Sequence, residues 1–204
     1  MWRPMRLSEC VMLVNEIFYS LQGEGYYSGT AAVFVRLSGC NLCCPFCDTQ
    51  HESGVEMNEA AIVEAVRRYP ARMVVVTGGE PSLQLTASLV DALHEAGRYV
   101  AVETNGTRTL PPNVDWVTLS PKDAWLGAEA AVVLTEADEL KVVYDGEHEP
   151  LEYRSLTTDH RFLQPMDTAD EARNARIEAA TVEYIRQHPQ WRLSLQIHKM
   201  LNIR

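Results

Sequence analysis

The segment Cys40-Asn-Leu-Cys-Cys-Pro-Phe-Cys47 holds four of the five cysteines of this 204-residue chain. Within it, Cys40, Cys44 and Cys47 have the spacing C-x3-C-x2-C, with Phe46 directly before the last cysteine. A four-iron, four-sulfur cubane normally takes four thiolates, so three ligands leave one iron free to coordinate another molecule. The spacing therefore predicts an iron-sulfur site with one open iron.

Other uses of these cysteines are weaker interpretations. Structural zinc takes four ligands, usually as two separated pairs, and the only cysteine outside the segment is Cys10. Cys43 offers an alternative triplet with Cys40 and Cys47, or a fourth ligand that closes the cluster, although Cys43 and Cys44 would have to bend toward one metal. Five is an odd number, and no signal-peptide pattern precedes the segment, which argues against extracellular disulfides.

Composition limits the classes of partner. The chain is 46% hydrophobic and has no apolar run of about 18 residues, so we expect a cytoplasmic protein without a membrane partner. Its formal charge of -10 argues against nucleic acid, because binding to the phosphate backbone depends on many Lys and Arg contacts. The length predicts a single domain over residues 1–204, with residues 1–12 as an N-terminal extension.

Apolar, β-branched stretches alternate with amphipathic ones, which is typical of an α/β fold with a mostly parallel sheet. The predicted strands are 13–20, 31–37, 73–77, 99–103, 116–119, 140–144, 161–163 and 193–197. The predicted helices are 59–69 capped by Asn58, 86–96 stopped by Gly97, and a long segment opened by Thr168 that ends before Pro189. Spacing alone leaves open whether the sheet is open or closed into a barrel.

Polar or glycine-rich turns follow six of the predicted strands. They are 40–47, 78–81, 104–106, 120–122, 164–167 and 198–199. Because the carboxyl ends of parallel strands form one face in β/α folds, these turns predict one large composite site.

The ordered motifs of the chain resemble a known family. They are Ser20-Leu-Gln-Gly-Glu-Gly25, Arg36-Leu-Ser-Gly-Cys-Asn41, Cys47-Asp-Thr49, Thr77-Gly-Gly-Glu-Pro81, Glu103-Thr-Asn-Gly106, Ser120-Pro-Lys122, Gln164-Pro-Met166 and the tail from Trp191 to Ile203. From Asn15 to Ile203 the chain is similar to the 7-carboxy-7-deazaguanine synthase family of radical S-adenosylmethionine enzymes. Ile197 and Met200 depart from the Thr and Tyr expected there, Cys43 is additional, and residues 1–12 have no counterpart.

The resemblance implies a fold and an activity. The fold is an α/β, shortened, partial (β/α) barrel with a mostly parallel sheet, usually found as a homodimer. The reaction converts 6-carboxy-5,6,7,8-tetrahydropterin into 7-carboxy-7-deazaguanine with loss of ammonia, in the 7-deazapurine (queuosine) pathway. The implied cofactors are a 4Fe-4S cluster, S-adenosyl-L-methionine, which is regenerated, and Mg2+. An external electron donor such as a flavodoxin is also implied.

The resemblance further assigns residues to roles. The cluster ligands would be Cys40, Cys44 and Cys47, and the magnesium ligand would be Thr49. The cofactor contacts would be Phe46, Cys47, Asp48, Gly79, Glu80, Ser120, Pro121, Lys122, Gln164, Pro165, Met166 and Asp167. The substrate contacts would be Leu21, Gln22, Gly23, Arg36, Thr77, His198 and Arg204.

Side-chain chemistry agrees with three of these roles. Gln22 offers both a donor and an acceptor to a pterin edge. Arg36 can bind a carboxylate through two parallel hydrogen bonds. Thr49 offers one hydroxyl oxygen to a hard cation that otherwise keeps water or substrate oxygens.

Two other functions stay open at the sequence level. A glycyl-radical activating enzyme shares the short chain, the C-x3-C-x2-C loop and a Gly-Gly-Glu turn, but acts on a protein backbone. A redox carrier would use Cys43 to complete a four-cysteine cluster.

Overall fold

A computed structural model describes residues 11–151 and 153–204, and in these residues a single sheet runs through the fold. Its strands are β1 (Val11–Leu21), β2 (Ala31–Leu37), β3 (Val55–Asn58), β4 (Met73–Gly78), β5 (Tyr99–Thr104), β6 (Trp116–Leu119), β7 (Glu139–Tyr144), β8 (His160–Pro165) and β9 (Arg192–Leu193). The helices are α1 (Glu59–Arg67), α2 (Ala87–Glu95), α3 (Asp123–Leu126), α4 (Glu171–Gln187) and α5 (Ile197–Leu201).

The strand order is β3-β1-β2-β4-β5-β6-β7-β8-β9. Strand β1 pairs antiparallel with β2 and β3, and every other neighbouring pair is parallel. The two edge strands do not pair with each other, so the predicted partial, mostly parallel barrel is confirmed and it remains open.

Successive side chains along each strand point to opposite faces of the sheet, and the two faces pack against different residues. On β4, Val74 and Val76 join the core that also contains the buried residues of α1 and α2. Val75 points to the opposite face, where it packs with Phe18 and Phe34. Because side chains alternate along a strand, Thr77 lies on this second, inner face.

Aromatic side chains close the amino-terminal end of the inner face. Tyr26, in the turn between β1 and β2, stacks on Trp116 and His160 at centroid distances of 5.0 and 4.3 Å. The neighbouring Tyr27 packs edge-on against Trp116, and its hydroxyl lies 3.1 Å from that of Tyr99. With this end filled, the inner face opens toward the carboxyl ends of the strands.

Two helices begin at side-chain caps: Asn58 was predicted as one, whereas Thr86, predicted as the first residue of its helix, is the other. The Asn58 side chain accepts a hydrogen bond from the Ala61 backbone at 2.9 Å, and that of Thr86 accepts one from Leu89 at 3.1 Å. Such bonds satisfy backbone donors that the first helical turn leaves without partners. Thr168 does not cap α4, because its hydroxyl binds Asn174 and the cap is Asp170.

The strand predicted at residues 193–197 is wrong. Only Arg192–Leu193 pairs with β8, and the chain then turns because the Ser194 hydroxyl donates to Oε1 of Gln164 at 2.8 Å. The Ile197 backbone nitrogen donates to the Gly23 carbonyl oxygen, and α5 begins there.

The amino-terminal boundary also differs from the prediction. Val11 and Met12 belong to β1, where they pair with Asn58 and Met57, and Met12 is buried. The rest of the predicted extension, with Cys10, lies outside the described residues. No helix in residues 11–151 and 153–204 is long and apolar enough to cross a membrane.

Candidate functional site

The loop that carries the cysteines follows β2 and is closed at its base by hydrogen bonds. The Gly39 nitrogen donates to the His51 carbonyl at 2.8 Å, and the Ser38 hydroxyl donates to the Ser53 carbonyl at 2.5 Å. These bonds bring the two ends of the loop together at the carboxyl end of the sheet.

Three of the loop cysteines line a cavity of about 220 Å³, namely Cys40, Cys44 and Cys47. Cys43 is exposed and does not line it, and all four thiols are free. Burial raises the pKa of the Cys40 and Cys44 thiols and so favours their neutral forms. A bound metal cation would oppose this effect and favour the thiolates. The geometry favours the triplet with Cys44 over the triplet with Cys43.

The Gly78-Gly79 turn after β4 forms another wall of this cavity. The Gly79 nitrogen donates to Leu37, and the Glu80 nitrogen donates to Gly39 at 2.9 Å. A Cβ atom on Gly79 would lie 1.9 Å from the Gly39 carbonyl oxygen. Glycine is therefore required here, because the turn lies directly against the start of the cysteine loop.

Glu80, a predicted cofactor contact, is fully buried beneath the cavity and does not line it. Its Oε1 accepts a hydrogen bond from the Thr104 hydroxyl at 2.6 Å, and its Oε2 accepts one from the Asn105 nitrogen at 2.8 Å. The carboxylate thus joins the turn after β4 to the turn after β5, and its contribution to the cavity is structural support.

Ser120 and Lys122 also line the cavity. Nζ of Lys122 donates to the Ser120 hydroxyl at 2.7 Å, and burial lowers the pKa of this lysine. Pro121 between them is buried and does not line the cavity. Phe46 also points elsewhere, because its ring packs edge-on against Trp125 at 5.0 Å.

Among the four predicted contacts at the end of β8 and directly after it, Gln164 alone lines the cavity, while Pro165, Met166 and Asp167 do not. Asp167 instead binds Nζ of Lys199 at 2.8 Å, a contact that lowers its pKa to about 2.

The cavity suits a cluster with an organic cofactor beside it. Three thiols occupy one wall, backbone without side chains forms the next, and a hydroxyl and an ammonium group occupy a third. Nδ1 of His51, which also lines the cavity, is buried and has no hydrogen-bond partner among the described residues. Thiolates, exposed backbone and polar donors are the groups that a thiolate-held cluster and a zwitterionic ligand require.

A second cavity of about 500 Å³ adjoins the first. It is lined by all seven predicted substrate contacts: Leu21, Gln22, Gly23, Arg36, Thr77, His198 and Arg204. Six residues line both cavities: Glu24, Asp48, Thr49, Thr77, Glu103 and Gln196. A molecule in the second cavity would therefore lie next to whatever the first one holds.

Charged and polar pairs give the second cavity its polarity. Nε2 of Gln22 donates to Oε1 of Glu103 at 2.9 Å, although the two residues are 81 positions apart. Nε of Arg36 donates to Oε1 of Glu16 at 3.0 Å, and Arg204 also binds Glu16. Because Nε uses only one donor of the guanidinium group, Arg36 keeps the two terminal nitrogens for a ligand.

The carboxyl-terminal helix α5 covers the second cavity. Nζ of Lys199 lies 2.8 Å from Oδ2 of both Asp48 and Asp167, which links α5 to the cysteine loop and to β8. A Cβ atom on Gly23 would lie 2.1 Å from Nδ1 of His198, so the turn after β1 is in close contact with this helix.

Thr49 lies where the two cavities meet, and its hydroxyl is 3.5 Å from Oδ1 of Asp48. In residues 11–151 and 153–204, no three His, Cys, Asp or Glu side chains converge closely enough to hold a single metal ion. A divalent cation at Thr49 would therefore take most of its ligands from water and substrate, as magnesium usually does.

Sequence reasoning did not assign a role to a buried charge group. Nζ of Lys141 lies 2.5 Å from Oε2 of Glu24 and 3.4 Å from Oε2 of Glu103. The sequence feature that could have predicted this group is the segment Glu139-Leu-Lys-Val-Val, where two charged residues alternate with apolar residues in a strand. In a strand covered on one face, that spacing places both charges on the opposite face.

Comparison with known proteins places this site in context. Residues 34–185 match the radical SAM superfamily. The chain is 52% identical over 191 residues to the 7-carboxy-7-deazaguanine synthase of Bacteroides thetaiotaomicron, which covers 94% of this chain and 98% of that protein. It is 42% identical to the enzyme of the same name from Burkholderia multivorans, over 93% of this chain and 98% of the relative.

A solved structure agrees with the fold. The crystal structure of QueE from Escherichia coli superposes with a TM-score of 0.72 at 29% identity, over 91% of this chain and 94% of that one.

Proposed function

The chain belongs to the radical S-adenosylmethionine superfamily and, within it, to the 7-carboxy-7-deazaguanine synthase family. On that premise we propose which of its two cavities binds the cofactors and which binds the substrate. The smaller cavity would hold the cluster and S-adenosyl-L-methionine, and the larger would hold 6-carboxy-5,6,7,8-tetrahydropterin. The reaction contracts the pterin ring to 7-carboxy-7-deazaguanine. Substrate and product differ by one molecule of ammonia, so no net oxidant is needed.

One observation carries this proposal. All seven residues assigned to the substrate from sequence line one cavity, and that cavity shares a wall with the cavity of the three cysteines. Radical transfer between two bound molecules requires such contact, because the reacting atoms must meet within about 3 to 3.5 Å.

The cofactor side would be held by the chain as follows. Cys40, Cys44 and Cys47 would bind three irons of the cluster, and the Gly78-Gly79 backbone would receive the amino acid part of S-adenosyl-L-methionine. Bound there, the cluster and the cofactor would supply the radical chemistry that the removal of a hydrogen atom from C6 of the pterin requires. Lys122 and Ser120 line the same cavity, where an ammonium group and a hydroxyl can hold cofactor oxygens.

The substrate side would be held by polar contacts of matching chemistry. The two terminal nitrogens of Arg36 can bind the pterin carboxylate while Glu16 fixes the guanidinium plane. Gln22 and Glu103, bonded to each other, offer acceptors to the amino and ring N–H groups of the pterin. His198 and α5 would exclude water from the larger cavity.

Magnesium is part of the proposal through Thr49. Its hydroxyl lines both cavities, so a cation there would hold the substrate carboxylate close to the cofactor. Thr49→Ala should lower turnover and weaken activation by added Mg2+. The matched control is Thr109→Ala, at an exposed position away from both cavities. Wild-type magnesium activation in Thr49→Ala would reject this role.

We further propose a homodimer that works in the cytoplasm and receives electrons from an external donor such as a flavodoxin. Sedimentation of the reconstituted protein tests the dimer, and a mass that fits one chain would reject it. Reduction of the cluster by purified flavodoxin tests the donor.

Anaerobic turnover tests the function itself. The reconstituted protein with dithionite, S-adenosyl-L-methionine, Mg2+ and carboxytetrahydropterin should release 7-carboxy-7-deazaguanine and ammonia, detected by mass spectrometry and an ammonia assay. Cleavage of S-adenosyl-L-methionine without pterin turnover would point instead to an activating enzyme for a protein substrate. If added S-adenosyl-L-methionine leaves the magnetic resonance spectrum of the reduced cluster unchanged, the protein would be a redox carrier.

A further inference from the structure

Lys141 is a buried cation to which the proposed function gives no role. It lies on β7, and only 4% of its side chain is exposed. A lysine in such a position requires charged or polar partners, because its desolvation is costly. Its partners therefore indicate what it does.

Both partners of Lys141 lie on the wall between the two cavities. Glu24 comes from the turn after β1 and Glu103 from β5, and both line both cavities. The second oxygen of each carboxylate is also occupied: Gln22 donates to Glu103, and Gln196 donates to Glu24 at 2.9 Å. Lys141 thus lies at the centre of a network that joins the turn, the sheet and the segment before α5.

The charge around Lys141 is predominantly negative. Glu139, two residues earlier on β7, is buried, and Oε1 of its carboxyl has no hydrogen-bond partner among the described residues. Burial raises the pKa of Glu139, and a proton on this carboxyl would remove its charge. Other nearby groups are Lys122, whose pKa is lowered by burial, and the neutral amides of Gln164 and Gln196.

Lys141 favours the ionised form of Glu24. Burial alone would raise the pKa of Glu24, but the charge and hydrogen bond of Lys141 outweigh it and lower the pKa. Burial alone would lower the pKa of Lys141, but Glu103 and Glu24 raise it. Without this cation, carboxylates close together in a poorly solvated space would take up protons at higher pH.

We propose that Lys141 is a positioning residue for the substrate, which keeps Glu24 ionised and holds the Glu24 and Glu103 side chains on the wall between the two cavities. The proposal rests on the proposed function, since the molecule that these carboxylates face is the pterin. A carboxylate accepts hydrogen bonds at both oxygens, whereas a protonated one donates at one of them. Loss of the cation would therefore change both the geometry and the hydrogen-bonding pattern that meets the pterin.

The test compares Lys141→Met with the double variant Lys141→Met/Glu24→Gln in the reconstituted holoenzyme. Methionine has about the length of lysine without its charge, and the double variant removes one carboxylate together with the cation. Iron content and circular dichroism are measured first and should match the wild type. S-adenosyl-L-methionine affinity is measured separately, because Lys141 and Glu24 also line the smaller cavity. The readout is kcat/KM for carboxytetrahydropterin as a function of pH.

Lys141→Met should lower kcat/KM near neutral pH by about a hundredfold and shift the acid limb of the profile upward by about one pH unit or more. The shift is upward because loss of a positive charge raises the pKa of a carboxyl group. The double variant should recover about tenfold and return the acid limb toward that of the wild type.

Two results would overturn the inference. One is an unshifted acid limb in Lys141→Met, and the other is a double variant with no recovery over the single one. If Lys141→Met does not fold, the double variant alone decides, because it removes one of the two carboxylates that lose their cation, and it must fold and turn over. Absence of turnover by the wild type would reject the proposed function itself, which is a distinct outcome.

Discussion

Nε2 of Gln22 donates a 2.9 Å hydrogen bond to Oε1 of Glu103, which joins the turn after β1 to the middle of the sheet. Glu103 lines both cavities, whereas Gln22 lines only the larger one. The pair therefore connects the region of the substrate with that of the cofactor.

Glu103→Gln keeps the shape of the side chain and removes its charge. We expect kcat/KM for the pterin to fall about ten- to a hundredfold, because one charge-assisted acceptor of the substrate becomes a neutral amide. S-adenosyl-L-methionine affinity should stay within about twofold of the wild type. Glu95→Gln on the exposed end of α2 is the matched control and should change neither quantity.

Arg36→Ala tests the assignment of the substrate carboxylate. Loss of a charge-assisted, bidentate contact costs about 1.5 to 3 kcal/mol, or roughly ten- to a hundredfold in kcat/KM. The reduced variant should still bind and slowly cleave S-adenosyl-L-methionine, while Arg67→Ala on the exposed face of α1 should behave as the wild type. Normal pterin turnover combined with lost S-adenosyl-L-methionine binding would show that the cavities were assigned the wrong way round.

Cys43→Ala and Cys44→Ala distinguish the two cysteine triplets. Cys44 lines the smaller cavity and Cys43 does not, so Cys43→Ala should keep about four irons per chain and full turnover, while Cys44→Ala should lose both. Iron analysis and the absorbance of the reconstituted cluster measure this. The reverse pattern would mean that Cys43 is the ligand.

Lys199→Met removes the link among α5, the cysteine loop and β8. Because α5 carries His198, we expect KM for the pterin to rise about tenfold with a smaller change in kcat. Arg186→Met is the control, since it breaks an exposed pair with Glu183 on α4 and should leave both constants unchanged. Equal kinetics in the two variants would contradict a role for α5 in covering the cavity.

Sequence patterns predicted the parts of this fold that local chemistry determines. Strands β2 and β6 begin and end where their apolar runs do, and Asn58 caps its helix through its own side chain. The short strand β3 was missed, because Val55–Asn58 is exposed or half-buried and its pairing with β1 is a long-range contact.

For the site, the positions of the turns were predicted correctly, but several side-chain directions were not, again because they depend on long-range contacts. The turns that carry it follow strand ends, but the direction of each side chain depends on distant partners. Glu80 points beneath the cavity to Thr104 and Asn105, and Phe46 packs on Trp125, which no spacing in the cysteine loop indicates. Likewise, the pair formed by Glu24 and Lys141 spans 117 positions.

Deuterium tracing tests the central claim, that the two cavities place the pterin C6 beside the cofactor, most directly. The reconstituted protein is supplied with carboxytetrahydropterin deuterated at C6, and recovered S-adenosyl-L-methionine and product are analysed by mass spectrometry. We predict deuterium in S-adenosyl-L-methionine and many molecules of 7-carboxy-7-deazaguanine per cofactor consumed. Unlabelled S-adenosyl-L-methionine after product has formed, or 5′-deoxyadenosine that accumulates without product, would contradict it.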